Sequence, residues 1–99
     1  MIEKRVTVTN RLGLHARAAA RLVHTANQFQ STLRLQRVHD NGLAGADIVP
    51  ADAKSILSVL MLAAARGTEL SATAEGADEI DAIAALAELF SNGFGEAEN

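Results

Sequence analysis

The chain has 99 residues, a length that fits one domain able to bury roughly 65% of its unfolded surface. Its residues are 48% hydrophobic, 21% charged and 3% aromatic, a balance that describes a globular domain with a core of Ala, Leu, Ile and Val, and the lack of Cys excludes disulfides, thiolate metal sites and a cysteine nucleophile. A net charge of −3 with neither Trp nor Tyr argues against a nucleic-acid surface, and the longest apolar run, Ile56 to Ala65, is too short for the roughly 20 residues of a membrane span.

Residues Met1 to Thr9 mix Glu3, Lys4 and Arg5 with single apolar residues, which is not the pattern of a signal peptide; a cytosolic chain is expected. Arg5 to Thr9 alternate with period two, placing Val6 and Val8 on one face, and predict a half-buried first strand. Asn10 to Leu14 contain Gly13 and read as a loop. A first helix is then predicted from His15 to about Gln28, with Ala16, Ala19, Ala20, Val23 and Ala26 on its apolar side. Its other side carries Arg17, Arg21, His24 and Gln28, a polar stripe leading away from His15.

Ser31 to Arg37 predict a second strand with Leu33 and Leu35 on one side, and the run from His39 to Gly42 has turn chemistry. A short edge strand is expected near Ala46 to Val49, ahead of Pro50. Ala53 to Ala65 predict a second helix, with Ser55 near its start and Gly67 as its left-handed cap. Thr68 to Ala74 alternate as a fourth strand. A last helix then begins at Asp78, read as its cap, places Ile80, Ile83, Ala84, Ala87 and Phe90 on one face, and stops near Gly93. The order β-α-β-β-α-β-α implies an α+β sandwich, a four-stranded antiparallel sheet with three helices on one face. The domain is expected to span 1–93, with 94–99 as a flexible acidic tail.

The chemistry concentrates in Asn10, Gly13, Leu14, His15, Ala16 and Arg17, which set an imidazole at a helix entry with a guanidinium two residues later. The first N–H groups of a helix lack intrahelical partners and carry partial positive charge, so they receive a phosphate readily. A neutral imidazole offers a ring-nitrogen lone pair for attack on phosphorus. Arg17 adds charge-assisted hydrogen bonds, and Gly13 permits a close backbone approach or a positive φ. Spacing alone leaves open that His15 only caps a helix and that Arg17 is a solvated charge. His24 and His39 lie nine and twenty-four positions from His15, without zinc-site spacing, so no metal and no cofactor are expected.

Asn10 to Ala20, NRLGLHARAAA, resembles the active-site segment of the HPr family, the histidine-containing phosphocarriers of the bacterial phosphoenolpyruvate-dependent sugar phosphotransferase system. Lys54 to Leu57 resemble the family's regulatory segment, Ala65 to Glu69 its helix exit, and Gly76 to Glu79 the start of its last helix, so the likeness covers nearly the whole chain. It implies an HPr-like open-faced sandwich and a monomeric carrier, itself no enzyme. On this likeness His15 takes a phosphoryl group as a pros-phosphohistidine from enzyme I and passes it to IIA domains. Arg17 assists, and the phosphate rests on Ala16, Arg17 and Ala18. Arg21, His24, Ile56, Leu57 and Leu60 are the implied docking residues, with Val59 and Leu62 facing inward.

The likeness also places Ser55 where HPr kinase/phosphorylase modifies some relatives, although by residue type Ser55 is simply a good helix cap; Ser58 is a weaker candidate. Two departures stand out: Ala18 occupies the position after the arginine where the family usually has proline, and the segment from Val38 to Ala53 is longer than usual. These keep a second reading open, a regulatory HPr-like module, or a nitrogen-branch carrier, that docks on a kinase or a transcription regulator with little role in sugar transport.

Overall fold

Val6 and Val8, Leu33 and Leu35, and Leu70, Ala72 and Ala74 alternate with polar neighbours, and together they form the buried face of one antiparallel sheet. The computed structural model describes residues 1–38 and 50–96. Its strands are β1 (Ile2–Thr7), β2 (Thr32–Arg37), β3 (Ala51–Asp52) and β4 (Glu69–Glu75), in the spatial order β1-β4-β2-β3. Central β4 pairs with β1 through Val6 opposite Leu70, and with β2 through Leu35 opposite Ala72. Short β3 pairs Ala51 with Leu35 and Asp52 with Arg34. The expected turn at His39 and the expected strand over 46–49 lie outside the described residues, as do 97–99.

Three helices cover the inner face: α1 (Ala16–Ala26), α2 (Ile56–Met61) and α3 (Glu79–Ser91). The architecture is the open-faced α+β sandwich predicted from the element order. Small Ala72 and Ala74 on the central strand let α3 approach closely, and α3 also packs on β1. Phe90 and Phe94 supply the largest core volume, their rings meeting edge to face with centroids 5.0 Å apart.

The helices differ in detail from the sequence pattern. In α1 the buried residues are Ala18, Ala19, Leu22 and Ala26, whereas Ala16 and Ala20 are exposed and Val23 is half-buried. The helix is rotated from the apolar stripe expected of it because Ala satisfies either face, and only the larger Leu22 settles the rotation. In α3 the buried set is Ala82, Ile83, Leu86 and Phe90, while Ile80, 70% exposed, lies outside it. Helix α2 is shorter than predicted, since Ala63 takes a left-handed φ of 50° and ends it. Gly67 therefore does not cap α2; it belongs to the turn into β4, donating its N–H to the Val8 carbonyl at 2.7 Å.

Asp78 is the N-cap residue of α3 by position, but its carboxylate does not cap the helix. It accepts instead from the Gln30 and Ser31 N–H groups, both at 2.9 Å, and from the Ser31 hydroxyl at 2.5 Å. The Ser31 hydroxyl, followed by the Gln30 N–H, holds this carboxyl below its usual range. The α1–β2 loop is thereby tied to the start of α3. Packing also continues past residue 93: Gly93–Gly95 form a 3-10 turn, Phe94 is buried, and the chain is bound through Glu96. The tail expected to start at residue 94 is thus part of the domain at Phe94 and Glu96.

Candidate functional site

The loop from Asn10 to Leu14 delivers His15 to the amino end of α1. Gly13 takes a φ of +67°, and a Cβ there would lie 2.5 Å from the Ala64 carbonyl oxygen, so the position requires glycine for both space and conformation. Leu14 donates its N–H to that same carbonyl at 2.9 Å, fastening the entry of α1 to the exit of α2. His15 is then the N-cap residue, in extended conformation, and its carbonyl accepts the first helical bond from Ala19 N–H at 2.8 Å. The N–H groups of Ala16, Arg17 and Ala18 precede that bond and have no carbonyl four residues back within the helix.

The imidazole does not cap the helix. Its Nε2 lies 2.6 Å from Oε2 of Glu96, and the side chain remains 27% exposed. The other carboxylate oxygen of Glu96 accepts from Asn10 Nδ2 at 3.0 Å. The Asn10 bond holds the Glu96 carboxyl below the usual carboxylate range, against the opposing effect of burial, and His15 and the Arg21 guanidinium add to it. Asn10 is fully buried and gives its second amide hydrogen to the Gly13 carbonyl at 2.7 Å, so its NH2 group joins the loop to the carboxy-terminal segment. Arg21 donates to the Phe94 carbonyl and reinforces the same junction.

An open cleft of about 730 Å³ lies over this group, bounded by Arg11, Leu12, His15, Arg17, Arg21 and Glu96. Three guanidinium groups thus face one cleft with the start of a helix at its edge, an arrangement suited to a phosphoryl group. Of the residues singled out in the sequence, His15, Ala16, Arg17 and Arg21 line it. Ala18, expected to bind the phosphate, is fully buried with its backbone and does not line the cleft, because it faces the core on the inner side of α1. His24 is exposed one turn beyond Arg21, beside Gln28 at 3.4 Å.

On α2, Val59 and Leu62 are buried and Ile56, Leu57 and Leu60 are exposed, Leu57 by 66%. Met61 on the same helix and Leu12 in the histidine loop are exposed as well. Ser55 is the N-cap of α2, its hydroxyl accepting from Ser58 N–H at 3.3 Å. Helix α2 packs against α1, and Asn27 Nδ2 reaches the Lys54 carbonyl at 3.4 Å across the junction.

Sequence reasoning missed Glu96, Arg11, Leu12 and Met61. A signal for Glu96 was present in Phe94, a large apolar residue between two glycines in a stretch that otherwise reads as a polar tail; such a residue is an anchor, and its burial fixes the position of Gly95 and Glu96 after it.

The family model described as the PTS HPr component phosphorylation site matches residues 2–92. The chain is 46% identical over 96 residues to the phosphocarrier protein HPr of Xylella fastidiosa, covering 97% of this chain and 98% of that one. It is 42% identical over 98 residues to that of Cupriavidus necator, covering 99% and 100%. Among solved structures it is similar to an HPr from Thermoanaerobacter tengcongensis, with a TM-score of 0.82 at 37% identity over 98% of this chain and 99% of that one. An HPr from Bacillus anthracis gives 0.77 at 34% identity, over 90% and 95%.

Proposed function

The chain belongs to the HPr family of phosphotransferase-system phosphocarriers, and from that premise we propose that it shuttles a phosphoryl group on His15 from the phosphohistidine of enzyme I to IIA domains. One observation carries the reading: His15 stands at the N-cap of α1, where unpaired helix amides and the guanidinium groups of Arg17 and Arg21 share its cleft. A ring nitrogen of His15 attacks phosphorus in line, the phosphoryl oxygens rest on the N–H groups of Ala16 and Arg17, and the Arg17 guanidinium neutralises their charge. The cradle is open to solvent and shallow, as a carrier requires, since the group must reach a second protein intact.

Docking falls to Arg21 and His24 on α1 and to Ile56, Leu57 and Leu60 on α2, an apolar patch with a cationic border that suits a partner bearing a phosphorylated site. Ser55 is the regulatory position: a phosphate there places about two negative charges at the edge of the docking patch and repels a phosphorylated partner. The protein works in the cytoplasm as a monomer and as substrate and product of other phosphotransferases.

Incubation of the chain with enzyme I and phosphoenolpyruvate tests this reading. An acid-labile phosphate should appear on the wild type and be absent from His15→Ala, and transfer to a sugar-specific IIA domain should follow. A wild type that takes no label refutes the carrier function; label without onward transfer points to the regulatory module.

A further inference from the structure

We propose that Glu96 is a positioning residue for His15: its carboxylate holds the ring as the Nε2–H tautomer and balances the positive charge the ring acquires when Nδ1 bonds phosphorus. The inference rests on the carrier reading and assigns a role to a residue at the far end of the chain, 81 positions from the histidine.

An ionised carboxylate can only accept hydrogen bonds, so at 2.6 Å the imidazole Nε2 must be the donor. With that proton on Nε2, the free lone pair belongs to Nδ1, and the nucleophile is chosen by the partner of the other nitrogen. In the transfer step the Nδ1 lone pair forms the N–P bond while the bond from phosphorus to the donor's imidazole nitrogen breaks, its electron pair leaving with that nitrogen. His15 loses no proton, so the phosphorylated ring is an imidazolium carrying Nε2–H and one positive charge. Glu96 then faces that charge across the contact it already makes. Onward transfer reverses the step and returns the ring to the same neutral tautomer.

Glu96 can act in this way because the chain before it is tied down. Phe94 is 1% exposed and stacks its ring edge against Phe90, and it holds a left-handed φ of 59° between two glycines of positive φ. Arg21 binds its carbonyl, and Asn92 Oδ1 accepts from Gly95 N–H at 3.2 Å. At the carboxylate itself, Asn10 Nδ2 occupies Oε1, which leaves Oε2 for the imidazole. The Glu96 side chain is only 15% exposed, so water competes poorly for it.

Glu96→Gln tests the assignment in the full chain. Asn10 presents NH2 to this site, so the glutamine oxygen turns towards Asn10 and its own NH2 towards Nε2, which reverses the hydrogen bond and favours the Nδ1–H tautomer. Nitrogen-15 spectra of the neutral His15 ring should show Nε2–H in the wild type and a rise of Nδ1–H in Glu96→Gln, with Glu96→Ala between them. Phosphorylation by enzyme I should slow by about tenfold, the low end for loss of an outer partner of a functional imidazole. Ring spectra that are the same in wild type and Glu96→Gln overturn the proposal, and so does a shifted tautomer with an unchanged labelling rate. A wild type that takes no label removes the carrier reading and this role with it, whereas the spectra, which need no partner protein, still report the contact separately.

Discussion

Leu14 donates its backbone N–H to the Ala64 carbonyl at 2.9 Å, and this bond joins the residue before the histidine to the segment after α2. The histidine loop and the apolar face of α2 are therefore held by the same strut. Any change in the packing of residues 13 and 14 on 64 and 65 is felt both at His15 and at the docking face.

Gly13→Ala should be destabilising by about 2–4 kcal/mol, because a Cβ at φ +67° is strained and would overlap the Ala64 carbonyl and Ala65 backbone, neither of which is a flexible side chain. Denaturant unfolding measures the loss. Phosphorylation of the folded fraction should fall as well, since His15 is displaced with the loop.

Ala18→Pro should fold with a stability change within about 1 kcal/mol, because the lost N–H precedes the first helical bond and a proline φ suits the opening turn. The N–H that is lost is enclosed with the rest of the residue, so the cleft keeps its phosphate donors. Titration with inorganic phosphate, followed by phosphorus NMR, should show an affinity unchanged from the wild type, whereas a loss of about tenfold, the worth of one hydrogen bond to a charged group, would mean that the Ala18 N–H does reach the phosphate.

Asp78→Asn should flatten the acid limb of the stability curve. The Ser31 hydroxyl and the Gln30 N–H hold the folded carboxyl below its unfolded value of about 3.9, so its contribution is present above that pH and disappears as pH falls through the lower, folded value. Urea midpoints measured from pH 6 downwards should drop more steeply below about pH 4 for the wild type than for the variant.

Leu57→Asp should leave stability within about 0.5 kcal/mol, since the side chain is 66% exposed and an acid in the first turn of α2 complements the helix dipole. Affinity for enzyme I should nevertheless fall by about tenfold or more if Leu57 is a buried anchor of the complex. Calorimetric titration with enzyme I compares the two. Arg21 is a less clean probe, because its guanidinium also holds the Phe94 carbonyl and its loss disturbs the segment that carries Glu96.

Much of this protein is written in short-range pattern. Alternation of Val6 with Val8, Leu33 with Leu35 and Leu70 with Ala72 and Ala74 determines the strands and their inner face, because successive side chains of a strand must point to opposite sides. Gly13 followed by His15 and a helical run determines that an imidazole enters at a helix start. The rotation of α1 was not legible, since its small apolar residues are alanines that a core and a surface accept equally; Leu22 against the core decided it.

The tertiary structure decided the relationships between residues distant along the chain. Asp78 reads locally as a cap, yet Ser31 and Gln30, 47 and 48 positions away, capture its carboxylate once β2 is in place. Glu96 reads as one charge of an acidic tail, yet burial of Phe94 against Phe90 brings it to the histidine. Local periodicity specifies which face a side chain occupies, and only the closing of the core specifies which other face it meets.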